Sequence, residues 1–526
     1  MRKLPIGIQD FEKLREDGFL YVDKTAYIFK IAHEGAPIFL SRPRRFGKSL
    51  FLSTLRAYWE GKKELFKGLD IERLEKENEA ETGEKWEEYP VFYFDFNKAN
   101  FKREMALEEV LGAHLDEWES KISDESRNEP LEIRFQQLLK KSYEQTGKRA
   151  VVLVDEYDKP LLEVMTDDSL EEHNKAVFKG FFSTLKSYDR YLKFVFLTGV
   201  TKFSKVSIFS DLNQLRDISM LNEYSAICGI TEDELKVNFE PEINKMADEN
   251  SLSVDECLEE LEKMYDGYHF HQNGLGVYNP FSIINALAAK EFGAYWFATG
   301  TPTFLIERIK SSGFDVKRFT KGDVFASEAQ LSDYRTDNVN PIPLFYQTGY
   351  LTIKGFNPRT RGYMLGYPNN EVEYGFLESI APMMLNREKE AEPLEIFSFE
   401  NDIQHARLDN LKDRFEALFA SLPYVTDERQ LEQNFQNVVY IVFTLLGQFV
   451  KSEVHSALGR ADVIVETEEY IYIFEFKRDK SAEEALAQIE EKAYDAPYAA
   501  DPRKLFKVGV NFDSEKRTID GWEVIS

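Results

Sequence analysis

Four short apolar runs alternate with helical stretches, and that alternation confines the first part of the chain to a parallel sheet. The runs are 37–41 (PIFLS), 91–96 (VFYFDF), 150–154 (AVVLV) and 193–200 (KFVFLTGV). Each is mostly apolar, as a strand covered on both faces should be. Between them, 48–59 reads as a helix with Phe51, Leu52, Leu55 and Tyr58 on one face, and 104–146 reads as helical. Residues 61–89 are highly charged and are expected to form a surface insertion of helix or loop. The expectation is an α/β block over 1–220 with helices on both faces of its sheet.

At about 150 residues per domain, 526 residues suggest about three domains. Residues 221–400 read as a mixed, mostly helical middle region, with helices at 231–247, 254–265 and 281–291. A β-like stretch, 343–376, carries Gly349, Gly355, Gly362 and Gly366. The acidic, proline-containing run 387–393 reads as a linker. A final α/β domain spans 410–526. It starts helical, continues with strands at 451–455, 461–466 and 471–477, and closes with a helix at 482–494 and a strand at 505–511.

Charge narrows the function classes. Lys and Arg number 66 against 93 Asp and Glu, a net charge of −27. Such a chain exerts no long-range pull on nucleic acid, so any phosphate site must be a local island of positive charge. The first 50 residues, with ten basic and six acidic side chains, run against the trend. No apolar run approaches the roughly 18 residues that cross a membrane, and the opening MRKLPIGIQDFEKL lacks the apolar core of a secretory signal. Two cysteines exclude a disulfide scaffold and a four-cysteine zinc site. The expectation is a soluble, cytoplasmic protein without a membrane partner; its oligomeric state stays open.

The segment Arg42-Pro43-Arg44-Arg45-Phe46-Gly47-Lys48-Ser49 lies between the first strand and its helix. It resembles a P-loop, GxxxxGK[ST], with Arg42 in place of the first glycine. Backbone N–H groups of such a loop, including Gly47, cradle phosphates at the helix N-terminus. Lys48 would reach the β- and γ-phosphates of ATP, and Ser49 would ligate Mg2+. Arg42 is a departure, because the glycine normally lets the chain turn tightly. Arg42, Arg44 and Arg45 are candidate phosphate contacts; the plainer alternative is a solvated turn. The third strand ends in Asp155-Glu156 and resembles a Walker B: Asp155 would serve Mg2+, and Glu156 would orient the attacking water. Thr198, ending the fourth strand, is a candidate sensor of the γ-phosphate. Asp158 reads as a helix cap or loop charge. The strand at 91–96 falls between the two motifs, which favours the additional-strand, catalytic-glutamate division of P-loop ATPases.

A second constellation sits near the C-terminus. If Glu466 pairs with Ile471 across the Thr467–Tyr470 loop, Asp462 faces Glu475. Strand period 2 then puts Lys477 on the face of Glu475. Two adjacent carboxylates repel unless a cation sits between them, and hard oxygen ligands suit Mg2+ or Mn2+. Lys477 could position or deprotonate a water on that ion. Glu432 on the preceding helix and Gln488 on the following one complete the candidate catalytic set. The alternative is a hairpin with a surface Glu–Lys pair. Residues 431–526 hold 18 acidic and 11 basic side chains, so a nucleic-acid groove there must be narrow.

Three strings, Tyr265-Asp266-Gly267-Tyr268-His269-Phe270, Gly300-Thr301-Pro302-Thr303 and Gln347-Thr348-Gly349-Tyr350, suggest turn chemistry and aromatic packing. Cys228 reads as core packing.

LPIGIQDFEKLREDGFLYVDKT, RPRRFGKS, VVLVDEYDKP and FLTGVTKFSKVSIFSDLN resemble the bacterial AAA-ATPase-like family. GRADVIVE, YIYIFEFK and ALAQIEEKAY resemble the PD-(D/E)XK nuclease-like domain in which its members commonly end. The resemblance implies a P-loop NTPase sheet, a restriction-endonuclease-like C-terminal domain, ATP with Mg2+ as ligands, and DNA or RNA as the C-terminal partner. The RPRRFGKS form is similar to the family's own loop. The leading reading is an ATP-hydrolysing protein coupled to a metal-dependent nuclease. The rival is a nucleotide-dependent signalling or scaffold protein whose C-terminal domain binds a partner without cleavage.

Overall fold

The computed structural model describes residues 2–35, 37–122, 128–165, 167–202, 215–297, 305, 317–320, 324–332, 340–384, 396–420, 428–447, 451–454 and 462–526. Along 428–437 the only side chain described is Phe435, and along 451–454 the backbone alone is. Gly300–Thr303 and the run 387–393 lie outside the described residues. The chain forms two compact units, 1–372 and 373–526, so the expected middle region 221–400 divides between them.

The first unit is built on a parallel sheet of β1 (Ile38–Ser41), β2 (Val91–Asp95), β3 (Ala150–Asp155), β4 (Leu192–Gly199) and β5 (Arg216–Asp217), in the order β2-β3-β4-β1-β5. β3 is buried along its whole length, consistent with its continuous apolar run. β4 lies between the strand that enters the glycine-lysine loop and the strand that ends in Asp155. The registers Ser41↔Gly199 and Val154↔Leu197 bring the carboxyl ends of β1, β3 and β4 to one edge. Open α/β sheets place their ligands at that edge. The helix Lys48–Trp59 buries Phe51, Leu52, Leu55, Tyr58 and Trp59. The charged insertion after it is a helix, Asp70–Thr82, anchored by buried Ile71.

Helices Glu232–Glu249 and Val254–Tyr265 start with reciprocal capping boxes, Thr231 with Glu234 and Ser253 with Glu256. With the helix Pro280–Ala289 they enclose a core that includes Leu235, Phe239, Leu261, Ile283 and Leu287; Leu4, Leu20 and Val22 of the N-terminal segment pack against it. The 343–376 stretch is less β-rich than expected. Its strands β7 (Thr352–Asn357) and β8 (Gly362–Gly366) lie between helices Ile342–Thr348 and Asn370–Met384. β8 also pairs with β6 (Val324–Ser327), giving the order β6-β8-β7.

The second unit holds a mixed sheet in which, from one edge to the other, the strands run in reverse chain order. Its strands are β9 (Lys451–Val454), β10 (Val463–Glu466), β11 (Tyr470–Arg478), β12 (Lys504–Asp513) and β13 (Thr518–Ile525). β11 and β12 are parallel, joined through the helix Ala482–Glu491, and the other pairs are antiparallel. A Cβ at Gly509 would lie 2.3 Å from the Ala482 carbonyl oxygen, so only glycine lets this helix settle on β12. Leu486, Ile489 and Tyr494 close over Ile473 in a small core.

Candidate functional site

In the phosphate loop, Arg45 has φ 68° and Gly47 φ 90°, so the chain reverses at these two residues. Arg42 lacks a positive φ, and this explains how an arginine can stand where a P-loop usually has glycine. Its side chain, expected as a candidate phosphate contact, is engaged with backbone carbonyls instead. It is buried, donates to the carbonyls of Ser41, Ser219 and Tyr224, and lies 3.9 Å from the centre of the Phe270 ring. Arg44 and Arg45 are exposed and line a cavity of about 490 Å³ together with Gly47, Lys48, Ser49 and Glu156. Lys48 Nζ donates to the carbonyls of Arg42 and Pro43, both at 3.0 Å.

Asp155 is buried at the end of β3. Its Oδ1 accepts from Thr198 Oγ1 at 2.8 Å, and its Oδ2 accepts from Tyr93 Oη at 3.3 Å. Thr198 is fully buried and its hydroxyl is engaged with Asp155, away from the residues that line the cavity. Glu156 adopts φ 50°, a left-handed conformation that is costly for a residue with a Cβ. Burial pushes its carboxyl above the usual range, while the Lys48 ammonium opposes the shift. Asp158 Oδ2 accepts from the backbone N–H groups of Val200 and Thr201 and from the Thr201 hydroxyl. It thus ties β3's exit to β4's exit.

In the second unit the pairs Glu466↔Ile471 and Val463↔Phe474 continue to bring Asp462 opposite Glu475. Asp462 Oδ2 accepts from the Phe476 backbone N–H at 2.9 Å. Glu475 is buried, and its Oε1 accepts from Lys477 Nζ at 2.7 Å and from Gln488 Nε2 at 2.5 Å. Lys477 Nζ also donates to Gln488 Oε1 at 2.6 Å, closing a three-membered network. Glu475 Oε2 is buried with no hydrogen-bond partner among the described residues. Burial, then the Asp462 charge, raises the Glu475 carboxyl, with Lys477 opposing; burial also raises Asp462. Glu432 lies on the helix Glu428–Leu446, but its side chain falls outside the described residues.

The description "Predicted AAA-ATPase" of the AAA-ATPase-like family matches residues 5–209, and that of the PD-(D/E)XK nuclease superfamily matches 430–522. A protein of Azotobacter chroococcum mcd 1, described as "Uncharacterized protein in vnfD 5'region", is 34% identical, covering 100% of this chain and 99% of that one. The chain belongs to the AAA-ATPase-like family. At its C-terminus this AAA-ATPase-like protein carries a PD-(D/E)XK nuclease superfamily domain. No solved structure matches it.

Two strings read as turns with aromatic packing do pack aromatically, and they back the glycine-lysine loop of the AAA-ATPase-like protein. The Tyr268 and Phe270 rings meet the Phe46 ring edge-on at 4.7 and 5.6 Å. A Cβ at Gly349 would fall 2.6 Å from Pro43 Cβ, and Tyr350 lines the cavity. Trp296 Nε1 donates to the Arg44 carbonyl at 3.3 Å. These contacts span more than two hundred residues of sequence, so no local periodicity announced them. Tyr93 was also missed; its place two residues before the end of β2 reads as ordinary aromatic packing.

The residues present fit the expected ligands. Lys48, Arg44 and Arg45 give the cavity a cationic rim suited to a triphosphate, with the Ser49 hydroxyl beside it. In the nuclease-superfamily domain, Glu475 Oε2 is a buried oxygen without a donor beside a second carboxylate, the hard donor set that a divalent cation takes. Among the described residues no group of three or more His, Cys, Asp or Glu side chains is placed to hold a metal. Mg2+ commonly uses one or two carboxylates and keeps waters elsewhere in its shell, so two protein ligands are compatible with it. No helix among the described residues is long and apolar enough to cross a membrane.

Proposed function

We propose that this AAA-ATPase-like protein binds and hydrolyses Mg-ATP in its first unit and cleaves phosphodiester bonds of DNA or RNA in its second. The observation that carries the reading is the unpartnered, buried Oε2 of Glu475, set beside Asp462 at the end of a hairpin whose next inward residue is Lys477. A desolvated carboxylate oxygen with no donor is costly unless a cation or proton meets it.

Lys48 holds the β- and γ-phosphates, and Gly47, Arg44 and Arg45 complete the cradle. Ser49 and Asp155 hold the magnesium of Mg-ATP, with Thr198 and Tyr93 orienting Asp155. Glu156, its carboxyl raised by burial, orients the attacking water and accepts its proton. In the second unit Asp462 and Glu475 would hold a divalent ion, which would supply Lewis-acid activation of a phosphate oxygen and of a water. Lys477 positions that water. Gln488 bridges Glu475 and Lys477 and keeps both on one face. Glu432 supplies a further acid from the preceding helix.

The test is a cleavage assay on mixed DNA and RNA with Mg2+ or Mn2+, with and without ATP, against Glu475→Ala. Metal-dependent cleavage by wild type alone supports the reading. The acidity of the last hundred residues favours a second reading, a nucleotide-dependent scaffold that binds a partner without cutting it. Identical, background-level cleavage by both proteins would select it.

A further inference from the structure

The cavity at the phosphate loop is larger and less polar than a triphosphate requires. Away from Lys48 and Ser49, part of its wall is an apolar shelf from two segments distant in sequence: Ile6, Ile8 and Gln9 near the N-terminus, and Phe281, Ile284 and Asn285 on the helix Pro280–Ala289. Ile6 is 47% exposed there, an apolar side chain left facing the opening. The Arg45 guanidinium lies over the Phe281 ring at 4.7 Å, joining this shelf to the cationic rim. An apolar shelf next to a phosphate cradle, in about 490 Å³, has the division of surfaces that a nucleoside triphosphate presents.

Asn285 gives the shelf a direction. Its Nδ2 donates one of its two hydrogens to the Phe281 carbonyl one turn back at 2.7 Å, which assigns the amide orientation and leaves Oδ1 as its acceptor beside the second N–H. Adenine carries an amino donor at C6, whereas guanine carries an acceptor oxygen there. An acceptor on the wall pairs with the first and opposes the second.

We propose that Ile6, Ile8, Phe281 and Ile284 seat the nucleobase, and that Asn285 Oδ1 selects adenine over guanine by accepting from its 6-amino group. This inference rests on the ATP reading of the cavity and adds to it the residue that chooses the base. The N-terminal segment and the helix Pro280–Ala289 share one core through Leu4, Leu20 and Ile283, so the shelf is held as a unit.

Calorimetry on the full chain with Mg2+ and ATP, GTP or inorganic tripolyphosphate separates the claims. Wild type should bind ATP about tenfold or more tighter than GTP, the scale of one lost and one opposed hydrogen bond. Asn285→Ala should weaken ATP several-fold, leave tripolyphosphate unchanged and shrink the ATP:GTP ratio towards one. Ile6→Ser, at a half-exposed position, should weaken both nucleotides and spare tripolyphosphate. Equal ATP and GTP affinity in wild type would overturn the base seat while leaving phosphate binding intact. Equal weakening of ATP and tripolyphosphate by Asn285→Ala would overturn it too. If wild type bound none of the three, the nucleotide reading itself would fall, and the seat with it.

Discussion

Thr198 Oγ1 donates to Asp155 Oδ1 at 2.8 Å, so the last polar residue of β4 holds the acid at the end of β3. Thr198→Val keeps the shape and removes the donor. The buried Asp155 carboxylate then loses one of its two side-chain donors. We expect a destabilisation of about 1–3 kcal/mol and slower ATP hydrolysis, with ATP affinity changed less. Denaturant unfolding and single-turnover hydrolysis measure the two effects; full activity in the variant would mean that Asp155 needs no such support.

Lys48→Ala should abolish ATP binding or weaken it severely, because it deletes the ammonium at the cradle. Glu156→Gln should retain binding and slow hydrolysis by about 10²–10⁴-fold, the usual weight of a general base. Calorimetry and single-turnover rates on the two proteins check this pair. An unchanged rate in Glu156→Gln would remove Glu156 from the chemistry and leave its left-handed backbone without a functional reason.

Arg42→Ala should behave differently from Lys48→Ala. It strips donors from three carbonyls and leaves the space under Phe270 unfilled. The expected result is lost thermal stability of the first unit, with any loss of ATP affinity following the fraction unfolded. A variant with wild-type melting behaviour and no ATP binding would return Arg42 to the phosphate site.

The carboxylate pair predicts a pH dependence. Burial raises both Asp462 and Glu475, so each takes up a proton more readily folded than unfolded. Without metal, their cost is absent at pH values below the unfolded carboxylate range. It grows as pH rises from there through the raised folded values. Asp462→Asn can still accept the Phe476 N–H but carries no charge. It should therefore raise the melting temperature of the metal-free chain at pH 8, have little effect near pH 4, and abolish Mn2+ binding. Calorimetric melts at both pH values test it; a lower melting temperature at pH 8 would contradict the proposed repulsion.

Lys477→Ala should leave Mn2+ binding largely intact while lowering the cleavage rate, because lysine acts on the water. Loss of Mn2+ binding in this variant would instead make Lys477 a support for Glu475.

Some of this architecture was open to reading and some was closed, for identifiable reasons. β1 to β4 are apolar enough to stand out without a partner, and the Thr467–Tyr470 turn fixes the register that sets Asp462 opposite Glu475. Gln488 was placed correctly on the helix after β11, and its contact with Lys477 follows from that packing. β13 escaped notice because much of it is exposed and carries no apolar run. β5 has two residues, too few for any pattern. The helix Ile342–Thr348 was absorbed into a β-like stretch because its residues are nearly all buried, which erases the polar face that marks a helix. The roles of Arg42 and Thr198 depend on carbonyls and a carboxylate from other strands, and composition is silent about those.

The contact between Gly349 and Pro43 bears on how the molecule is made. The family match ends at residue 209, yet the nucleotide loop leans on a turn that the ribosome produces much later. A nascent chain that has completed β1 to β5 has its strands but not the back of its loop, and Phe46 is left without Tyr268 and Phe270. The loop proposed to capture nucleotide is thus fully backed only once translation has passed Tyr350. On the ATP reading, a nucleotide held at Lys48 would report a chain made and folded at least that far.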